Sequence, residues 1–178
     1  MEPTAEHTVT LKTAYRHYWI TGTELDPAAD LPESAATPQP GARAPLLSLS
    51  STHPAVIVAT GIQYGDIPTT IRTYPAQPSI DDKEQWEEIA EADLTAASSV
   101  IFGNLDQDNT AVPLTDEDVP ERAWRVRVSV RGADDARTVA YAAEGHSLTE
   151  RHLIELWPSN DEELQYLRRD PRPWRQSS

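Results

Sequence analysis

Along the chain, apolar and polar residues alternate more often than they recur at helical spacing. The alternation is clearest over Trp124–Gly132, where Trp124, Val126, Val128 and Val130 fall on one side and Arg125, Arg127, Ser129 and Arg131 on the other. A strand with one buried face requires this period of two. Thr8–Thr21 is rich in β-branched and aromatic residues and closes at Gly22, which predicts a long strand or a bulged pair. Leu46–Ser50, Ala55–Ile62 and Ile67–Tyr74 predict three successive short strands, separated by turns at His53-Pro54 and Tyr64-Gly65-Asp66, as at the start of a meander or Greek key. Trp86–Ala96 carries two periods. Trp86, Ile89 and Ala90 lie at helical spacing, but Ala90, Ala92, Leu94 and Ala96 alternate with Ile89, Glu91, Asp93 and Thr95, and a strand is predicted. Ser99–Asn104 and Glu150–Trp157 predict two further strands, the second ended by Pro158.

The intervening segments read differently. Residues 23–45 hold Pro27, Pro32, Pro38, Pro40 and Pro45, a composition that cannot keep a ladder of backbone donors, and predict a flexible proline-rich insertion. Asp106–Glu121 predicts a polar loop, Asp161–Arg169 one or two turns of helix, and residues 170–178 a basic tail. The expected fold class is all-β: a single domain over residues 1–178, an antiparallel β-sandwich of roughly seven to nine strands with a long proline-rich loop and a short C-terminal helical segment. Its core candidates are Trp19, Ile57, Val58, Phe102, Trp124, Val126, Val128, Leu156 and Trp157.

Candidate chemistry narrows the field mainly by exclusion. The chain has no cysteine, hence no disulfide, thiolate metal site or cysteine nucleophile. His7, His17, His53, His146 and His152 include no pair at close ligand spacing. Asp106, Asp108, Thr110 and Glu117 share oxygen positions with a calcium loop, but Ala111 stands where glycine allows the sharp turn and Pro113 follows, so an ordinary solvated loop is expected. A glycine-rich phosphate loop, a nucleophile elbow and a zinc-protease helix are all missing from the sequence. The expectation is a protein that is not an enzyme and holds no metal or cofactor.

Twenty-nine acidic against fifteen basic residues give a formal charge of -14, which repels nucleic-acid backbones and anionic membranes and favours a basic partner. Two acidic segments stand out. Asp81, Asp82, Glu84, Glu87, Glu88 and Glu91 are opposed only by Lys83, and Asp116, Glu117 and Asp118 stand in a stretch with no base before Arg122. If the two segments meet, these nine carboxylates form a surface for a basic protein. Met1–His7 lacks the basic and apolar parts of an export signal, and no stretch approaches the roughly 20 apolar residues of a membrane span, so a cytoplasmic protein is expected. Lysine occurs only at Lys12 and Lys83, with arginine elsewhere, a bias of high-GC bacterial genomes.

Three pieces in order, Thr13–Ile20, Trp124–Gly132 and Glu150–Pro158, with the acidic Trp86-Glu87-Glu88 strand between them, resemble small actinobacterial proteins distantly similar to the competence protein J family, which includes an inhibitor of the DNA-entry nuclease. The resemblance implies a β-sandwich-like domain that binds another protein. Together with the charge it leads to the expected function: a non-enzymatic cytoplasmic inhibitor or immunity-type protein that presents its acidic surface to a nuclease or toxin. Two alternatives stay open. One is a small-ligand or carbohydrate-binding sandwich, favoured by a cleft with two aromatics and convergent polar groups, for which Tyr64, Tyr74 and Trp86 are candidates. The other is an assembly protein held by its arginine-rich strand and tail.

Overall fold

The computed structural model describes residues 1–25, 31–33, 43–80, 85–106, 108–115, 119–138, 149–159 and 163–169. Eleven strands and one short helix follow in order: β1 (Ala5–Thr13), β2 (His17–Thr21), β3 (Leu47–Leu49), β4 (Ala55–Ala59), β5 (Gly65–Thr73), β6 (Glu88–Ala96), β7 (Ser99–Gly103), β8 (Thr110–Pro113), β9 (Arg122–Arg131), α1 (Ala133–Ala136), β10 (Arg151–Pro158) and β11 (Gln165–Arg168). They form a six-stranded sheet, β1-β5-β10-β9-β6-β11, and a five-stranded sheet, β3-β4-β2-β7-β8. The protein is all-β, with two sheets enclosing one main apolar core.

That core takes the alternate residues of each sheet's inner face. Ala90, Ala92 and Leu94 of β6, Trp124, Val126 and Val128 of β9, and Ile154 and Leu156 of β10 meet Tyr18 and Ile20 of β2, Val56 and Val58 of β4, and Phe102 of β7. Each fully buried valine or isoleucine here contributes about 1.5–3 kcal/mol. Trp19, Ile57 and Trp157 are buried as expected, but alternation with core-facing neighbours turns them to the outer faces of their sheets.

The structure corrects several local expectations. Thr8–Thr21 is two strands in different sheets, because the chain reverses through Tyr15 and Arg16, whose φ angles are 55° and 67°. The predicted three-strand meander does not form: β3 pairs with β4, whereas β5 crosses to the other sheet, antiparallel to β1 and parallel to β10. That parallel pair makes the six-stranded sheet mixed. The expected C-terminal helix is strand β11, which satisfies the open edge of β6 with Tyr166 opposite Ala90. The polar loop of 106–121 contains β8, paired with β7. Most of the proline-rich insertion and the whole basic tail lie outside the described residues.

Candidate functional site

The two sheets part at one corner. Along β1 the inward row Ala5, His7, Val9, Leu11 and Thr13 passes from half-buried at its start to buried at its end. The opening is a cleft of about 380 Å³ between the start of β1 (Thr4, Ala5, His7), the end of β5 (Thr73, Tyr74, Pro75), the end of β8 (Pro113, Leu114, Thr115), the start of β9 (Arg122, Trp124) and Pro158 of β10. Such a volume suits a small organic ligand. Prolines at three of these strand ends supply no N–H donor, so none of the three can continue a ladder across the opening.

The walls combine aromatic and polar surface. Trp124 is anchored by its indole N–H, which donates to the Ala96 carbonyl at 3.3 Å, and the exposed Arg122 guanidinium lies 4.3 Å from the Trp124 ring centroid. Tyr74 follows the inward Thr73 and turns its hydroxyl to the outer face of the six-stranded sheet, where it bonds the Glu155 carboxylate and burial pushes it above the ordinary tyrosine range. Two further wall atoms are enclosed without a hydrogen-bond partner among the described residues: His7 Nε2 and Thr73 Oγ1. A buried polar atom left unpaired costs about 1–3 kcal/mol, which marks both atoms as places where an incoming group gains a contact.

The nine carboxylates expected to form a partner surface fare unevenly. Glu91 is 2% exposed and lies in the outer face of the six-stranded sheet, pairing with Arg127 at 2.7 Å and Arg125 at 3.2 Å. Glu88 is buried in an ion pair with Arg43. Neither is available on an open acidic surface, because β6 turns them into arginine contacts. Glu87 is half-buried, and its Oε2 is enclosed without a partner among the described residues. Asp81, Asp82, Glu84, Asp116, Glu117 and Asp118 lie outside the described residues. Of the aromatics proposed for a pocket, Tyr74 lines the cleft, Tyr64 packs edge-on against Tyr15, and Trp86 lies under Arg131.

Two charged clusters escaped sequence reading. In the first, register sets Glu91 and Glu155 beside Arg127 and Asp93 beside Arg125. Backbone carbonyls of Pro78 and Glu163 accept further guanidinium hydrogens from Arg127 and Arg125 at 3.1 and 2.9 Å, and Arg127 stacks 4.8 Å from Trp157. The arginine face of β9 is therefore interior. In the second, Glu150 accepts backbone N–H bonds from Gly61 and Ile62 at 2.9 and 3.1 Å and contacts His152 Nε2 at 3.0 Å, while His152 Nδ1 meets the Tyr18 hydroxyl at 2.8 Å. Burial first, then the Glu150 charge, drives the Tyr18 hydroxyl well above its ordinary range. It stays neutral and ties the two sheets together. Asp108 of the calcium-like loop pairs with Lys12 at 3.3 Å, and no cluster of metal-binding side chains occurs among the described residues.

No family model and no curated protein matches the chain. The fold is similar to that of a solved structure described as Crocagin biosynthetic gene J, with a TM-score of 0.53 at 14% identity over 88% of this chain and 100% of that one. At this identity the likeness concerns the fold.

Proposed function

We propose that this chain is a binding module whose small ligand occupies the corner cleft between β1, β5, β8, β9 and β10. The observation that carries the reading is a wall in which the Trp124 indole stands with two enclosed polar atoms, His7 Nε2 and Thr73 Oγ1, that lack partners among the described residues. Apolar walls with a few placed polar groups are the usual make-up of a ligand pocket. The reading as an inhibitor of a basic nuclease or toxin has the net charge of -14 in its favour. It has lost Glu88 and Glu91, which are spent on buried arginines.

The test is a fragment titration followed by NMR, using neutral and charged aromatic fragments against the wild type and Ala5→Phe, which fills the mouth of the cleft. Fragments that move the Trp124 indole and His7 ring signals in the wild type and leave them still in the variant support the reading. If no fragment moves either signal, the cleft is not a ligand site.

A further inference from the structure

We infer that the ligand of this cleft carries an anionic group, a carboxylate or a phosphate, held by Arg122 with His7 Nε2 and Thr73 Oγ1. This rests on the cleft being the ligand site and adds the chemical class. In a chain with 29 acidic residues, the described lining of the cleft contains none. Its charged member is Arg122, at the open end of the inward row that continues as Trp124, Val126 and Val128.

The arginines of β9 show what this strand does with a guanidinium. Arg125 and Arg127, on the covered face, are each matched by two carboxylates. Arg122 lies over an indole, and no carboxylate pairs with it among the described residues. A guanidinium held flat on an aromatic ring keeps its edge donors directed outward and loses little freedom when a planar anion takes them. Thr73 adds a hydroxyl donor, and His7 Nε2 donates in the tautomer that carries its proton there. A neutral sugar would present many hydroxyl donors, yet apart from the Tyr74 hydroxyl, which is engaged by Glu155, the described side chains of the wall offer only threonine oxygens and one imidazole as acceptors, with no carboxylate or carboxamide. The balance of the wall is toward donors, which is what an anion needs.

Benzoate, phenyl phosphate and neutral benzamide separate the alternatives when titrated at constant ionic strength against the wild type, Arg122→Gln and Thr73→Val, with the Trp124 indole signal as readout. At least one of the two anions should bind about tenfold more tightly than benzamide, and which one does tells a carboxylate from a phosphate site. Arg122→Gln should remove that preference, and Thr73→Val should weaken the anion several-fold, more than it weakens benzamide. Arg122 is exposed, so its loss leaves the fold intact. If benzamide binds as well as both anions, or the preference survives Arg122→Gln, the inference is overturned while the cleft stands as a ligand site. If none of the three probes moves the signal in the wild type, both readings fall together.

Discussion

Glu91 carries more structural weight than its place in an acidic run suggests. It bridges two guanidinium groups that are each 1% exposed, so removing it strands buried charge. Glu91→Ala should cost about 3–5 kcal/mol, read as a lower urea midpoint with an unchanged slope. Its neighbour Glu155 behaves differently. Burial pushes the Glu155 carboxyl above the ordinary range, and Arg127 offsets only part of that. Between the unfolded value, about 4.3, and the higher folded value, the native state binds more protons than the unfolded chain. Stability from this group is therefore present at the acid end and lost as pH rises through the folded value. Relative to Glu155→Gln, the wild type should lose stability across that window in denaturation curves; a difference that grew with pH would contradict the assignment. That either residue is interior was not legible in the sequence, where Arg125, Arg127 and Arg131 present a pattern indistinguishable from a solvated face.

At Gly61 and Gly22, elements meet at a backbone distance that tolerates no side chain. A Cβ on Gly61 would lie 1.9 Å from the carbonyl oxygen of Ala133, at the start of α1, and one on Gly22 would lie 1.9 Å from the carbonyl oxygen of Thr95 in β6. Both obstacles are backbone, so relief requires moving an element rather than a rotamer. Gly61→Ala should destabilise by about 1–3 kcal/mol, and the shift should be visible as exchange broadening at Glu150, whose carboxylate accepts the Gly61 N–H. At this scale the alternation of β9 and the positions of β4, β5, β6, β7 and β10 were readable from local pattern. Strand β11 was not, because Asp161–Arg169 has helix-compatible residues and becomes a strand only against the edge of β6. Strand β8 was hidden in the same way by the polar residues around it.

Across the whole molecule, a charge of -14 sets self-repulsion against the local ion pairs. The pairs of Arg125 and Arg127 are buried and little screened, whereas the repulsion acts largely through solvent, where the Debye length falls to about 10 Å at 0.1 M salt. Thermal stability should therefore rise from low salt to about 0.15 M sodium chloride, followed by calorimetry, and a melting temperature that fell would mean that exposed pairs such as Lys12–Asp108 dominate. The same negative field opposes the approach of an anion to the corner cleft, so association with benzoate or phenyl phosphate should quicken with salt even though the contact with Arg122 weakens.

The sequence by itself determined the all-β class, most strand positions, the inward row of β9 and the absence of thiol chemistry, since each of these depends on residue type and spacing within one segment. Only the tertiary structure decided which strands share a sheet, which carboxylate stands beside which arginine, and that the polar face of β9 is covered. The cleft is of the second kind, drawing on residues from Thr4 to Pro158 in five strands. The reason is physical: alternation encodes which way a side chain points, whereas register, covering segments and the place where two sheets part are set by contacts between residues far apart in the chain.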